Sequence, residues 1–234
     1  MRLIKSFRKR LAWLLWPTGH GVVRRDGALF LVNLRNWAEK TLVTQGTFET
    51  KQLAYLTENI RGRHCDVFVD IGANMGAYSI FVALQTDCKT IIAFEPDQRS
   101  FDRLRANALL NGLSRVIEAR AVAVSSSNGT VPFSYGPDSF DAVSKVAEGP
   151  EASVVAAVRL DDVIALTGRR IALKIDIEEH ERAALEGMKN LLGNNRCFMQ
   201  IECFDHNFAV VKAMLESFGY GLVHEIGFDR YFAN

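Results

Sequence analysis

The sequence predicts an α/β protein in which a mainly parallel sheet is covered by helices on both faces. From residue 66 onward, short apolar runs alternate with amphipathic runs at helical spacing, which is the order expected of repeated β-α units. The apolar runs, such as "TIIAFE" at 90–95, are nearly continuous, as is typical of strands buried on both faces. A chain of 234 residues with 48% hydrophobic and 24% charged residues is long enough to build one large core of this kind.

The N-terminus, "MRLIKSFRKRLAWLLWP", predicts a basic amphipathic helix that ends at Pro17. Its apolar residues recur at steps of three and four, and basic residues lie largely between them. The apolar run 11–16 is too short to span a bilayer. Residues 1–16 suit peripheral contact with an anionic membrane surface, or packing against the protein itself or a second subunit, and both remain open. We divide the chain into an N-terminal extension, residues 1–45, and a main domain, residues 46–234.

The elements of the main domain follow from the same patterns. The strand-like runs are 66–70, 90–95, 115–124, 170–178 and 196–203, and the helix-like runs are 48–60, 76–85, 98–112, 179–193 and 207–219. Asn111-Gly112 is a stop signal for the helix that precedes it. "GTVPFSY" indicates an extra strand, residues 134–150 resemble a Gly/Pro/Ser-rich loop, and "YGLVHEI" with "DRYFAN" predicts a closing antiparallel hairpin.

Four acidic residues stand at or near the carboxyl ends of predicted strands. They are Asp70, Glu95, Asp176 and Glu202. Ligands of doubly wound sheets bind beyond the carboxyl ends of the strands, so we expect these side chains at one rim. Each of them alone could simply cap the following helix, but the four together indicate a binding site.

The turn in "FVDIGANMGAYS" does not have the dinucleotide-binding pattern. Gly72 and Gly76 are spaced G-x-x-x-G, and Asn74 stands where a pyrophosphate requires a residue without a side chain. Asp70, directly before the turn, suits a cationic group such as an ammonium. Glu95, at the end of the next strand, can accept both hydroxyls of an unmodified ribose. These residues favour S-adenosylmethionine over a nicotinamide dinucleotide as the cofactor.

Four stretches of the main domain resemble the FkbM-type family of S-adenosylmethionine-dependent methyltransferases. They are "FVDIGANMGAYS", "AFEPDQRSFDRLRANALLNG", "LKIDIEEHERAALEGM" and "FMQIE", and the resemblance covers about residues 46–234. It implies a Rossmann-like class I methyltransferase sheet of seven strands in the order 3-2-1-4-5-7-6, with strand 7 antiparallel. It also implies methyl transfer, usually to an oxygen of a sugar or secondary-metabolite hydroxyl.

The resemblance also implies roles for single residues. Those on the motif around the methionine half of the cofactor are Asp70, Gly72, Asn74 and Gly76. Glu95 falls on the ribose-binding acid, and Ala121 on the wall beside adenine, where contact would be through the backbone. Asp176 falls on the acid near the sulfonium and the acceptor. Two further acids that match family positions are Glu181 and Glu202.

One position departs from the family pattern, because Glu179 replaces the glycine that usually follows the "IDIE" run. Glu179 could narrow the acceptor pocket, supply an extra acid, or begin the helix as an exposed acid that interacts favourably with the helix dipole. Substrate preference therefore cannot be transferred directly from the family to this chain.

A base that removes the acceptor's hydroxyl proton as the methyl group arrives would assist the reaction. The catalytic candidates are Asp176, Glu202 and His180, and further candidate bases are Glu178 and His206. If Asp176 and Glu202 lie close together, one of their pKa values is raised. The same pair could instead hold a divalent cation with Glu178 or His206, although the spacing is not diagnostic and no metal ligand is assigned. Lys174, on the same strand face as Asp176, could orient that carboxylate.

The remaining expectations concern compartment and partners. Four cysteines without zinc-type spacing are typical of reduced, buried thiols, which indicates the cytoplasm, with peripheral contact at the inner membrane face as an option. A net charge of +1 and no basic face beyond residues 1–25 argue against nucleic acid. The expected acceptor is a small molecule, a sugar or a glycolipid. The alternatives are a non-catalytic membrane-associated binding module and, less favoured, a Rossmann enzyme acting on a nucleotide sugar or NAD.

Overall fold

The computed structural model describes residues 10–45, 49–136, 144–146 and 152–234. The strands, numbered along the chain, are β1 (His20–Arg25), β2 (Ala28–Asn33), β3 (Val67–Ile71), β4 (Thr90–Phe94), β5 (Ile117–Arg120), β6 (Ala123–Val124), β7 (Gly129–Ser134), β8 (Lys145–Val146), β9 (Ser153–Val158), β10 (Arg170–Ile175), β11 (Arg196–Glu202), β12 (Gly221–Ile226) and β13 (Asp229–Ala233). The helices are α1 (Trp37–Gln45), α2 (Thr50–Arg63), α3 (Ala77–Gln85), α4 (Gln98–Leu110), α5 (Leu160–Val163), α6 (Glu181–Glu186), α7 (Lys189–Asn194) and α8 (Asp205–Ser217).

Seven strands form the central sheet in the order β5-β4-β3-β10-β11-β13-β12. Neighbours pair in parallel except around β13, which is antiparallel to both β11 and β12. Counted along the chain within this sheet, the order is 3-2-1-4-5-7-6 with strand 7 antiparallel, which agrees with the expectation. Because β4, β3, β10 and β11 are parallel neighbours, their carboxyl ends meet at one rim.

Helices cover both faces of this sheet, so its strands are buried on both sides. On one face, Phe68 of β3 belongs to a core cluster with Leu56 of α2 and Phe81 of α3. On the other face, Val69 of the same strand belongs to a cluster with Leu185 of α6 and Leu215 of α8. Adjacent residues of β3 thus enter opposite cores, and this explains why the strand sequence is apolar throughout.

Two predicted elements are wrong in their extent. The strand predicted over 115–124 divides into β5 and β6, because the chain leaves the central sheet and β6 joins a second sheet of order β6-β9-β7-β8. The helix predicted over 179–193 is two helices, α6 and α7. Gly187 lies between them, and a Cβ at this position would be 2.0 Å from the carbonyl oxygen of Ser125. The close approach of the two segments at this break requires a glycine.

The N-terminal hairpin β1–β2 is attached to α4 by two asparagine side chains. Asn107 accepts a hydrogen bond from the Leu31 N–H (2.6 Å) and donates one to the Met75 carbonyl (2.9 Å). Asn111, directly after α4, accepts from the Leu29 N–H (2.8 Å). The apolar residues of the hairpin belong to the same core as α2 and α3. The described part of the extension therefore shares a core with the sheet, while the division at residue 45 stays a prediction.

Part of the predicted amphipathic helix is described, with residues 10–15 helical. Residues 1–9 lie outside the described part of the chain, as do 137–143 and 147–150 of the predicted loop. Among the described helices, none combines the length and the hydropathy that crossing a membrane requires.

Candidate functional site

The turn that follows β3 is tightly constrained by its neighbours. Gly72, Asn74 and Gly76 have positive φ angles of 79°, 49° and 83°, a region that glycine and, less readily, asparagine adopt. The Gly72 N–H donates to the carbonyl of Phe94 at the end of β4 (3.0 Å). A Cβ on Gly72 would lie 1.8 Å from the carbonyl oxygen of Asp176. The turn is therefore in backbone contact with both flanking strands, and only glycine fits at its start.

Glu95 lies directly after β4 and is 6% exposed. Its carboxylate accepts hydrogen bonds from the N–H groups of Asn74 (2.7 Å) and Asp97 (2.8 Å). Burial raises the pKa of Glu95 to about 7, although these two hydrogen bonds favour the charged form. The carboxylate thus connects the glycine turn to the start of α4, and it retains further acceptor capacity toward the cavity described below.

Asp70 is fully buried beneath the turn. One carboxylate oxygen accepts from the hydroxyl (2.7 Å) and the N–H (3.1 Å) of Ser79. The other oxygen, Oδ1, has no hydrogen-bond partner among the described residues. Burial raises the pKa of Asp70, and the positive charge of Lys174 opposes this shift. Asp70 is therefore a buried acid with one unsatisfied acceptor, as expected of a group that awaits a donor.

Asp176, directly after β10, is hydrogen-bonded to Lys174, with 2.7 Å between Oδ2 and Nζ. Burial favours neutral Asp176, but the charge of Lys174 and hydrogen bonds from Glu202 and Lys174 lower its pKa. Burial and the charge of Asp176 raise the pKa of Glu202 to about 9. The expected proximity of the two acids is confirmed, and at neutral pH Glu202 carries the proton while Asp176 carries the charge.

A cavity opens at this rim of the sheet. Its lining residues that we singled out from the sequence are Gly72, Asn74, Glu95, Lys174, Asp176, Glu178 and His180. The described lining also includes residues that sequence analysis did not assign, among them Glu39, Glu49, Tyr78, Phe133 and Lys145. Asp70, Gly76 and Glu202 are not among the described lining residues. The structure therefore brings the glycine turn, Glu95, Asp176 and His180 to one cavity, and Asp70 is fully buried next to the turn.

The wall expected beside adenine lies slightly further along the chain than the sequence indicated. Ala121 is exposed and does not contribute to the lining, whereas Val122, Ala123 and Val124 do. The displacement follows from the split of the predicted third strand, because the chain turns into β6 at this point. The wall is apolar, as a flat aromatic base would require.

The segment after Asp176 has an unusual backbone. Glu178 and Glu179 have positive φ angles of 51° and 77°, so Glu179 holds the conformation that glycine adopts readily. The Glu179 side chain is not among the described lining residues, and its carboxylate lies 3.8 Å from the Nε2 atom of the exposed His206. Glu179 therefore supplies an acid at the outer rim, and its side chain points toward α8.

His180 is held at the cavity by a contact of 3.0 Å between its Nε2 atom and the Ser125 hydroxyl. Burial lowers the pKa of His180, so the ring is neutral at physiological pH. Burial also raises the pKa of the neighbouring Glu181 to about 7, and that carboxylate accepts a hydrogen bond from the Glu179 N–H (2.8 Å). Glu181 thus supports the backbone of this turn.

Sequence analysis missed a chain of hydrogen-bonded polar groups that begins at the cavity and runs to strands β11 and β13. The Tyr78 hydroxyl donates to Glu49 (2.7 Å) and accepts from the side-chain amide of Gln200 (3.1 Å), which also donates to Asp229 (2.8 Å). These residues come from α3, the start of α2, β11 and β13. Tyr78 lies within the quoted turn motif and could have been singled out, but no local pattern connects it to Glu49 or Gln200.

Within the described residues, no group of three or more His, Cys, Asp or Glu side chains is arranged to hold a metal ion. The two carboxylates considered for a divalent cation, Asp176 and Glu202, are instead joined to each other and to Lys174.

Comparison with known proteins gives a consistent result. The Methyltransferase FkbM domain profile matches residues 70–222. The chain is 28% identical over 206 residues to the 31-O-demethyl-FK506 methyltransferase FkbM of Streptomyces tacrolimicus, covering 73% of this chain and 78% of the relative. It is 31% identical over 130 residues to the hexuronic acid methyltransferase AglP of Haloferax volcanii, covering 54% and 52%. Among solved structures, M. jannaschii TYW2 in complex with AdoMet has a TM-score of 0.48 at 12% identity, covering 92% of this chain and 84% of the other.

Proposed function

Because the chain belongs to the FkbM methyltransferase family, we propose that it transfers a methyl group from S-adenosylmethionine to a hydroxyl oxygen of a small molecule, sugar or glycolipid. The observation that carries this proposal is one cavity that joins the glycine turn, Glu95 and Asp176. The names of the two relatives agree with this, since both are methyltransferases and one is named for the position of an O-methyl group.

The chemistry of the residues fits the cofactor. Asp70 Oδ1, buried and unsatisfied, offers an acceptor for an ammonium or for a water that bridges to one. Glu95 offers a carboxylate at the cavity wall to ribose hydroxyls, and the strand β6 with Val122 offers an apolar surface to the base. Gly72 permits close approach of the backbone, because a side chain there would collide with Asp176. When bound, the cofactor supplies a methyl group already activated by its positively charged sulfur.

The protein's own contribution is to place the acceptor and to receive its proton. We assign the proton-accepting role to Asp176, which lies on the cavity and is ionised. Lys174 and protonated Glu202 hold its carboxylate in place, so Glu202 is a positioning residue in this proposal. His180, neutral and on the same cavity, is the alternative base. A carboxylate with a lowered pKa is a weak base, but it orients the hydroxyl and stabilises positive charge at the reacting oxygen.

The charge of the lining favours a neutral acceptor over an acidic one. Three acids, Glu49, Asp176 and Glu178, line the cavity. Of the two lysines on the lining, Lys174 is bound to Asp176 and Lys145 interacts electrostatically with Glu178. A carboxylate on the acceptor would meet these acids at short range and be repelled. We therefore propose a neutral hydroxyl acceptor rather than an acidic one such as a hexuronic acid. A panel of neutral glycosides and the matching uronic acids, assayed with radiolabelled cofactor, tests this preference, and preferential methylation of the acids would contradict it.

Calorimetry with S-adenosylhomocysteine tests cofactor binding without requiring the acceptor. We expect binding to the wild type, and a loss of at least tenfold in affinity for Glu95→Ala, since a hydrogen bond to a charged group contributes about 1.5–3 kcal/mol. Glu58→Ala, which removes an exposed carboxylate from α2, is the matched control and should bind normally. Equal affinities for wild type and Glu95→Ala would contradict the assigned site.

A further inference from the structure

The described part of the N-terminus carries a cluster of exposed apolar side chains. Leu11, Leu14 and Leu15 of the helical segment 10–15 are 41%, 78% and 61% exposed. We refer to these three residues as the apolar N-terminal surface. A groove beside them is lined by Leu11, Leu15 and the side chains of Val23 and Val43. A single exposed leucine is ordinary on a protein surface, but several exposed apolar side chains close together indicate a contact site.

The helix that presents these leucines is fixed to the hairpin by its opposite face. Ala12 is 5% exposed, and the Trp16 N–H donates to its carbonyl (2.9 Å). A Cβ on Gly21 would lie 2.0 Å from the Trp16 ring, so this indole is packed directly on β1. The helix cannot rotate to bury its leucines without withdrawing Ala12 and Trp16 from the protein.

The charge around the apolar N-terminal surface is positive. Arg10 and Arg24 are exposed beside it, and the preceding sequence adds Arg2, Lys5, Arg8 and Lys9 before the first acidic residue of the chain, Asp26. A second copy of the protein would bring the same positive charge to the contact and would be repelled. An anionic lipid surface would attract these groups and accept the exposed leucines.

We propose that the apolar N-terminal surface docks the protein on an anionic lipid membrane. The docking does not depend on the catalytic proposal. It does place the cavity close to the lipid, because α1 contributes Val43 to the groove and Glu39 to the cavity. Four residues of helix separate them, or about 6 Å along the axis. An acceptor carried on a lipid would then be presented near the cavity.

Sedimentation with phospholipid vesicles tests this with the full chain. We expect the protein to bind vesicles of phosphatidylcholine with 30% phosphatidylglycerol, weakly or not at all to pure phosphatidylcholine, and less at high salt. The double variant Leu14→Glu/Leu15→Glu should bind the anionic vesicles at least tenfold more weakly. The matched control is Leu109→Glu/Val154→Glu, which adds the same charge at positions 71% and 66% exposed elsewhere, and it should bind as the wild type does.

Three results would overturn the proposal. One is wild-type protein that does not bind the anionic vesicles, and another is a control variant as impaired as the leucine variant. The third is a wild-type dimer in light scattering that Leu14→Glu/Leu15→Glu converts to a monomer, because a second copy would then cover the surface. Circular dichroism verifies that both variants are folded. Calorimetry with S-adenosylhomocysteine is expected to be unchanged in both, so failure of docking and failure of the catalytic proposal remain distinguishable.

Discussion

Burial raises the pKa of Glu95 to about 7, so its charge changes within the pH range in which cofactor binding can be measured. Ribose hydroxyls donate more strongly to a carboxylate than to a neutral acid, so cofactor affinity should depend on ionised Glu95. We expect the affinity for S-adenosylhomocysteine to fall by up to about tenfold in total as pH decreases from 8 to 6, because a pKa of about 7 leaves about a tenth of Glu95 ionised at pH 6. Glu95→Gln should bind more weakly at pH 8 and show a flatter profile.

The control for this titration is Glu118→Gln, since Glu118 is a solvent-exposed carboxylate, 59% exposed, on β5. It should retain the wild-type pH profile. If Glu95→Gln keeps the same slope as the wild type in calorimetry at pH 6, 7 and 8, another group controls the pH dependence and the ribose assignment is wrong.

Replacing the carboxyl group by an amide should lower kcat much more at Asp176 than at Glu202. Asp176→Asn removes the ionised carboxylate at the cavity, and we expect cofactor binding to persist while kcat falls about a hundredfold, within the range for a lost general base. Glu202→Gln resembles the protonated acid that its raised pKa predicts, and kcat should change less than about fivefold. Steady-state methyl transfer and calorimetry measure both. A Glu202→Gln enzyme as slow as Asp176→Asn would identify Glu202 as the base.

Single residues were predictable from the sequence where a backbone pattern fixes their place. Gly72 and Glu95 follow strands whose carboxyl ends must meet, and both contact the cavity. The depth of Asp70 was not predictable, because it depends on how α3 brings Ser79 over the carboxylate. The Tyr78–Gln200 contact joins residues 122 positions apart, and no local periodicity reports such a pair.

The turn between β10 and α6 stores backbone strain at Glu179, whose φ is 77°. A non-glycine residue in this region costs roughly 1–2 kcal/mol relative to glycine. Replacing Glu179 by glycine would also remove its contact with His206, but this contact contributes little to stability because both side chains are about half exposed. We therefore expect Glu179→Gly to raise the free energy of unfolding by about 1 kcal/mol, or the melting temperature by about 2–4 °C for a chain of this size.

Glu179→Ala separates the backbone effect from the charge, since it removes the same carboxylate and retains a Cβ. It should not stabilise the protein, and differential scanning calorimetry measures both variants. Equal stabilisation by alanine and glycine would show that the carboxylate, not the backbone, is the unfavourable feature.

At the scale of elements, strand and helix positions came from apolar periodicity, and their ends depended on tertiary contacts. Asn111-Gly112 ended α4 as predicted, because the signal is local and Gly112 has a φ of 70°. The division of the helix predicted over 179–193 depends on Gly187 meeting Ser125 from another sheet. Short strands in "GTVPFSY" and "SVVAAVRLDDVI" were foreseen, but their pairing into a second sheet was not, because the paired strands are distant in sequence.

At the scale of the whole molecule, the family assignment and the central sheet were accessible from the sequence because four motifs follow one another in a fixed order, on strands that are neighbours in the sheet. The acceptor side was not, because it is assembled from separate segments. Glu39 and Glu49 come from the N-terminal region, and Lys145 from a short strand paired with β7. We propose that the sheet supplies the cofactor half of the cavity and that these additions supply its acceptor half.

The concentration of acids around this cavity should make the protein without ligands less stable as pH rises. Burial raises the pKa of Glu95 and Glu181 to about 7 and, with the charge of Asp176, that of Glu202 to about 9. An acid whose pKa is higher in the folded than in the unfolded state stabilises the folded protein. This contribution is complete at pH values below the unfolded-state pKa and is lost as pH rises through the folded-state pKa. His180, with a lowered pKa, acts oppositely but only below about pH 6.5.

Between pH 7 and 8.5, Glu202 should therefore dominate the change in stability. We expect the free energy of unfolding in urea to fall by about 1 kcal/mol over this interval, after allowance for solvent screening of a partly buried group. Glu202→Gln should reduce the fall, whereas Glu186→Gln, which changes an acid on the outer face of α6 that is paired with Arg182, should not. A wild-type stability that is constant or rises with pH would mean that the folded protein does not hold a proton on Glu202, and the assignment of Asp176 as the charged partner would then have to be reversed.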